Sequence, residues 1–258
     1  MRVTVLAENT SASPHLPAEH GLSLWLETAD LRILFDMGQS DLFAQNAERL
    51  GIDLASADLA VLSHGHYDHA GGLRRFLALN DHAPVYVSRH AFGRFRNASG
   101  RYIGMDPALQ GHPRLILTDE ETTLGEGLLL RHCNSLPRPQ SLGAFGLTAE
   151  QNGVLAEDPF LHEQYLLIRE GARRILVSGC SHKGIFDILS WFQPHVFIGG
   201  LHLSKLEPGR ELDPIAHKLA QQPTLFYTCH CTGTEQYKYM KGTVPRMEYL
   251  STGDTIWI

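Results

Sequence analysis

The sequence predicts an α/β fold in which two β-sheets pack together with helices outside, and three observations carry that reading. Short β-type runs alternate with longer helical ones, the two halves repeat one order of hairpin, strand, histidine-bearing loop and helix, and no linker or low-complexity segment separates them. The 258 residues, 43% hydrophobic and 19% charged, supply a sizeable core, and this length suits a single domain spanning 1–258.

Residues 3–7 read as the first strand, and 22–28 and 31–35 as two more, joined at Ala29-Asp30 in a hairpin. Ser40 or Asp41 can cap a helix over 41–50, which Gly51 ends because a left-handed C-cap costs glycine almost nothing. A strand over 58–63 delivers the chain into SHGHYDHAGGL, a polar loop closed by two glycines before the helical stretch LRRFLAL. Residues 84–88 are a strand and HAFGRFR a short helix, whereas 97–113 carry too little periodicity for assignment. LILTD and GLLLRHC read as strands, and the Pro- and Gly-rich CNSLPRPQSLGAFGL as a mobile lid. LHEQYLLIRE, a turn at Gly171 and RRILVSG form a second hairpin, after which GCSHKG opens a helix over Ile185–Phe192. HVFIGG and TLFYTCH are strands with polar exits, a helix follows Thr232, and VPRMEYLSTGDTIWI ends as a hairpin around Gly253-Asp254.

Charge and composition exclude several classes. Twenty-two Lys and Arg against 28 Asp and Glu give a net charge of -6, without a basic block, so no nucleic-acid groove is expected. The apolar run before Glu8 and Asn9 is too short for a signal peptide or membrane span, so no membrane partner and a cytoplasmic location are expected. Cys133, Cys180, Cys229 and Cys231 read as thiols or metal ligands, not as a secreted disulfide framework. No G-x-G-x-x-G follows a strand, so no dinucleotide cofactor is implied. The expected partner is a small-molecule substrate.

The informative cluster is His64, His66, Asp68 and His69, four ligand residues within six positions between a strand and a helix. Alternate residues His64 and His66 can aim their imidazoles the same way, while Asp68 and His69 begin the next turn and aim at a neighbouring position. That spacing suits two adjacent metals and has little use without them. Further ligands must come from elsewhere, and His182 and His230 stand after predicted strands as the first loop does. His202, in GGLHLS, is open to three roles: ligand, proton donor to a leaving group, or polar contact to substrate.

SHGHYDHAGG resembles the signature loop of the metallo-β-lactamase superfamily. AEHGLSL, ILFDMGQS, NAERLGID, GCSHKGI, GGLHL and HCTG narrow the likeness to its branch of 7,8-dihydropterin-6-yl-methyl-4-(β-D-ribofuranosyl)aminobenzene 5'-phosphate synthase-like proteins. The resemblance implies the metallo-β-lactamase αββα four-layer sandwich with a dinuclear site, zinc as the usual metal at two ions per chain, and manganese or iron as alternatives. Carried over, His64 and His66 bind one metal with His182, and Asp68, His69 and His230 bind the second. Relatives draw the third histidine of the first metal from further upstream, where His132 and His162 are available; His182 is preferred. Cys180 stands where the superfamily places a bridging carboxylate, so its thiolate is a ligand or the bridge is water alone. A buried core cysteine is the plain alternative.

Two metals roughly 3.5 to 4 Å apart lower the pKa of a shared water, so a hydroxide is the expected nucleophile. Asp68 can orient it or take its proton, and His202 can protonate the leaving group. Ser181 and Thr232 can each cap a helix whose free N–H donors face an anionic or phosphorylated substrate, with Lys183 adding charge. Glu19, His20 and Asp36 are expected to brace the ligands from behind. The expected function is a metal-dependent hydrolase. A synthase-type transferase of the pterin branch and a non-catalytic metal-containing binding module are its rivals.

Overall fold

The computed structural model describes residues 1–151 and 153–258. In chain order it forms strands β1 (Arg2–Ala7), β2 (Ser23–Glu27) and β3 (Arg32–Phe35), helix α1 (Leu42–Arg49), strand β4 (Leu59–Val61), and helices α2 (Tyr67–Ala70) and α3 (Leu73–Leu79). Strands β5 (Val85–Ser88), β6 (Phe95–Arg96), β7 (Leu115–Thr118), β8 (Glu121–Gly125), β9 (Leu128–Arg131), β10 (Thr148–Gln151) and β11 (Val154–Glu157) follow. Then come β12 (Tyr165–Glu170), β13 (Arg173–Val177), α4 (Ile185–Phe192), β14 (Val196–Gly199), α5 (Leu212–Ala220), β15 (Leu225–Thr228), α6 (Thr234–Lys241), β16 (Met247–Tyr249) and β17 (Thr255–Trp257).

These elements sort into two units. The first comprises Met1–Asp119, Gly146–Gln164 and Ser251–Ile258, and the second Glu120–Phe145 and Tyr165–Leu250. The first holds a seven-stranded sheet in the order β17-β1-β2-β3-β4-β5-β7. Its β1-β2-β3 portion is antiparallel, with Val3 opposite Leu26 and Leu26 opposite Ile33, and the short link from β2 to β3 allows only that sense there. From β3 to β7 the pairing is parallel, which α1 and the α2–α3 pair make possible as crossovers. Helix α1 buries Phe43, Ala44, Asn46 and Ala47, the spacing of one helical face, in a core that includes Leu6, Trp25, Leu34 and Phe76. Burial of a side chain such as Phe43 contributes about 1.5–3 kcal/mol. The buried Asn46 amide is satisfied by the carbonyls of Leu6 and Pro17, at 2.8 and 3.0 Å. A smaller sheet, β11-β10-β6, packs Phe95 and Ala149 with Ile103.

The second unit holds a sheet in the order β16-β15-β14-β13-β12-β9-β8. The β12–β13 hairpin turns at Gly171, with Leu167 opposite Leu176, and β13, β14, β15 and β16 run parallel. Tyr165, Leu176, Phe192, Phe197, Phe226 and Met240 share its core. Parallel neighbours end on the same side, so the carboxyl ends of β13, β14 and β15 lie side by side and present three loops together.

Four local expectations are corrected. HAFGRFR is not a helix: it makes two tight turns, Ala91 N–H to Ser88 O and Gly93 N–H to His90 O, before Phe95 joins the small sheet and its apolar cluster. The final segment is not a hairpin, because β16 pairs with β15 and β17 with β1, in different sheets; the Gly253-Asp254 turn is real but bonds to Val5. The third and fourth concern the caps expected of Ser181 and Thr232. Helices α4 and α6 start at Gly184 and Gly233, with no side-chain cap bond. Left-handed backbone at Ser181, φ 62°, turns the chain before α4 begins. Among the described residues, no helix is long and apolar enough to cross a membrane.

Candidate metal centre

In the first unit, β4 hands the chain to Ser63 and the histidine loop. Asp36, just after β3, is fully buried and organises that loop. Its carboxylate accepts the Ser63 N–H at 2.7 Å, the Ser63 hydroxyl at 2.7 Å and the His69 Nδ1–H at 2.6 Å. The Ser63 Oγ in turn lies 2.8 Å from His64 Nδ1. With Nδ1 of both rings engaged, Nε2 is the ligand atom each offers, and a carboxylate behind an imidazole makes it a better metal ligand.

His64, His66 and His69 are buried, with ring centroids 4.6 Å apart for His64–His66 and 4.1 Å for His64–His69. Burial, assisted by the neighbouring His162, pushes the His66 imidazole down to about 3 against the pull of Asp68 and Asp158, so the ring is neutral, as a ligand must be. Asp68, at the start of α2, sets its Oδ2 3.9 Å from His69 Nε2 and 3.2 Å from the half-exposed His20 Nε2. Two ligands each about 2.1 Å from one ion can stand this far apart, so the donor set and its spacing fit a shared divalent metal.

The loop's backbone is equally constrained. A Cβ at Gly65 would collide with the Ala91 carbonyl, which is why glycine separates the two histidines. Tyr67 N–H bonds to Ile103 O at 2.8 Å and Met105 N–H to Gly65 O at 3.0 Å, giving the unassigned 97–113 stretch a role as a brace. His162, the upstream alternative for the first metal, has a ligand atom within 4.8 Å of those of His66 and Asp158. Its Nδ1 accepts the Gly65 N–H at 3.0 Å and its Nε2 lies 3.1 Å from Asp158, so both nitrogens are engaged within the protein. Burial alone would raise the Asp158 carboxyl, but the hydrogen bond and charge of His162 and the Phe160 N–H hold it below its ordinary value. Glu19 accepts the N–H groups of Gln39 and Ser40 and the Ser40 hydroxyl, bracing the turn after Asp36 and not an imidazole.

In the second unit, the three parallel strands deliver Cys180, Ser181, His182 and Lys183 after β13, His202 after β14, and His230, Cys231 and Thr232 after β15. These loops are tied to one another. The Ser181 hydroxyl donates to Gly200 O at 2.7 Å, Leu201 N–H to the Thr232 hydroxyl at 2.8 Å, and Leu203 and Ser204 N–H to Cys231 O at 3.1 and 3.0 Å. His182 and His230 are buried, and the His182 and His202 ring centroids are 4.2 Å apart. Burial would raise the Cys231 thiol, yet the adjoining Cys180, His202 and His230 side chains outweigh it and hold it well below its usual value. Lys183 is buried, its Nζ donating to the His132 carbonyl at 2.6 Å beside the Tyr165 ring, so its charge faces the interior of the unit. His132, the other upstream alternative, donates its own N–H to Glu120 O at 3.0 Å. The 133–147 passage forms turns anchored where Gln140 N–H donates to Asp187 at 3.0 Å.

The sequence reading missed Ser63 and Asp158, and it named His162 and Cys231 without pairing them with their neighbours. The four-residue spacing of Asp158 and His162 and the position of Cys231 beside His230 were the available signals; nothing distinguishes Ser63 from an ordinary loop serine.

A family model of the metallo-beta-lactamase superfamily matches residues 16–219. An uncharacterized protein of Methanocaldococcus jannaschii is 28% identical over 241 residues, 90% of each chain. The 7,8-dihydropterin-6-methyl-4-(beta-D-ribofuranosyl)-aminobenzene-5'-phosphate synthase of the same organism is 26% identical over 245 residues, 84% of this chain and 82% of its own. Among solved structures, Tm1679, described as a metal-dependent hydrolase of the beta-lactamase superfamily, superposes with a TM-score of 0.82 at 28% identity, covering 100% of this chain and 99% of its own.

Proposed function

The chain belongs to the metallo-beta-lactamase superfamily and has its mixed α/β fold, and from that premise we propose that it is a metal-dependent hydrolase of a small, phosphate-bearing or otherwise anionic molecule. The observation that carries this reading is the buried cluster of His64, His66, Asp68 and His69, with His64 and His69 held by the Asp36–Ser63 anchor. The proposed ligand sets are those the resemblance implies: His64 and His66 with His182, and Asp68 and His69 with His230. The placement of His182 and His230 on loops after β13 and β15, parallel strands on either side of β14, supports their inclusion. When bound, a pair of zinc ions supplies Lewis acidity and draws the pKa of a water toward neutrality.

The chain's own residues do the rest. Asp36 and Ser63 fix the rings of His69 and His64, so Nε2 of each stays aimed without reorganisation. Asp68 orients the attacking water and receives its proton. The 5'-phosphate in the name of the Methanocaldococcus synthase supports a phosphate-bearing substrate. A cytoplasmic protein acting on a small molecule and not on nucleic acid is part of the same proposal, supported by the acidic composition.

Metal analysis of wild type beside His64→Ala, His230→Ala and Cys180→Ala, purified without added metal, tests the site. About two equivalents of zinc held by these ligand sets in wild type, falling in His64→Ala and His230→Ala, is the expected result. A folded, zinc-replenished wild type without metal would overturn it and favour a binding module. Similarity to the named synthase favours one second reading, a transferase that joins a pterin to an aminobenzene ribofuranosyl phosphate. Metal-loaded protein that turns over a diphosphate-activated pterin but no ester, lactone or phosphodiester would select it.

A further inference from the structure

The loops after β13, β14 and β15 bring together, within one unit, three side chains that the proposed hydrolase does not need as a set. The sulfurs of Cys180 and Cys231 and a ring nitrogen of His202 all lie within 4.8 Å of one another. Both cysteines are buried, at 3% and 8% exposure, and neither is in a disulfide. Both ring nitrogens of His202 are buried, and one of them stands within 4.8 Å of both sulfurs. The edge of the Phe145 ring packs against that imidazole, centroids 5.3 Å apart.

The backbone has been shaped around this group. Ser181, His202 and His230 all adopt left-handed conformations, with φ of 62°, 55° and 48°, so each loop carries a residue in a sparsely populated region next to the cluster. Gly200 lies where any Cβ would run into the Cys231 sulfur, so its missing side chain makes the room that the sulfur occupies. The Cys231 carbonyl accepts the Leu203 and Ser204 N–H groups, and its sulfur sits 3.3 Å from the Cys180 carbonyl.

We propose that Cys180, His202 and Cys231 form a thiolate-bearing metal site for zinc or a comparably soft divalent ion, with a fourth coordination position open. Ligands about 2.0 to 2.3 Å from a tetrahedral ion stand on the order of 3.5 Å from one another, a spacing this cluster reaches with small rotamer adjustments. Two sulfurs and an imidazole are the donors that prefer zinc over magnesium or calcium. Binding forms two metal–sulfur bonds and one metal–nitrogen bond, and the two thiol protons pass to solvent. Of the three roles open to His202 in the sequence, this assigns it that of ligand. The hydrolase ligand sets include neither Cys231 nor His202, and Cys180, a possible ligand there, is the one residue the two readings share.

Cadmium NMR of the full-length, reduced, cadmium-loaded protein counts thiolate ligands directly, because each sulfur moves the resonance strongly downfield. The expected result is a resonance in the two-thiolate range that Cys231→Ser removes and Asp68→Ala leaves in place. A one-thiolate resonance indifferent to Cys231→Ser, or none shifted by sulfur, would overturn the proposal. Should Cys231→Ser fail to fold, cobalt titration of wild type and His202→Ala decides. The thiolate-to-cobalt charge-transfer band should need on the order of tenfold or more metal in the variant, and unchanged affinity would overturn the assignment. A two-thiolate signal in a protein without hydrolysis supports this site alone. Hydrolysis without that signal supports the hydrolase reading alone.

Discussion

Each histidine of the 63–69 loop is held by a different neighbour: His64 by Ser63, His69 by Asp36, and His66 by burial near His162. His162 acts on the loop through one atom, the Nδ1 that accepts the Gly65 N–H. In His162→Asn the amide oxygen can take the place of Nδ1, whereas in His162→Gln it lies one bond too far out. Zinc affinity, read by competition with a chromophoric chelator, should stay within a few-fold of wild type for the first and fall on the order of tenfold or more for the second. Equal affinities would mean that His162 serves packing alone. His66 sets an acid limit in chelator-treated protein. The unfolded chain takes a proton near pH 6.5 and the folded ring resists to about 3, so stability is indifferent to His66 above that window and is lost as pH falls through it. Urea denaturation at about pH 7.5 and about pH 5 should show the loss, and His66→Gln should reduce it. The four ligands were legible because four ligand residues in six positions have no common structural use. His162 was not, because the atom it supports lies 97 residues away along the chain.

At the scale of elements, the reading succeeded where the signal is local. The β2–β3 and β12–β13 hairpins declare themselves by alternation and a turn, and α4 by its apolar face bounded by Gly184. It failed where pairing is remote: apolar alternation on both sides of Gly253-Asp254 looks like a hairpin, yet each arm finds a better partner elsewhere, β15 for one and β1 for the other. Helix α5, with buried Leu212, Ile215, Ala216 and Leu219, was overlooked because Pro214 falls in its first turn, where a missing N–H costs nothing. The connection from β4 to α2 yields a prediction of its own. In Gly65→Ala the new methyl meets the Ala91 carbonyl, so the connection must shift, at a cost of about 1–3 kcal/mol, and bound metal should be lost with it. Denaturant melting alongside metal analysis checks this; full metal content at wild-type stability would show that the contact yields.

For the whole molecule, the resemblance spans nearly all of the chain and the family match covers residues 16–219, so the fold class was the most legible property of all. The substrate was the least, since the superfamily signature consists of metal ligands and says little about what they act on. Metal should stabilise the whole chain, because a site assembled only on folding converts binding free energy into folding free energy. At free zinc about 100 times Kd the gain is about 2.7 kcal/mol, worth roughly 5–10 °C in Tm for a protein of this size. Scanning calorimetry of zinc-loaded and chelated samples should show the rise, and Asp68→Ala should reduce it.

Strand β17 closes the edge of a sheet whose other six strands all lie before residue 119. β1 is synthesised well before β17, so until β17 is made the outer edge of β1 is an open row of donors and acceptors. Val3 and Val5 are among the residues that edge exposes before its partner arrives. Nascent chains stalled before Thr255 should therefore engage holdase chaperones or strands of neighbouring polysomal chains, and pairing of β17 with β1 should end that association.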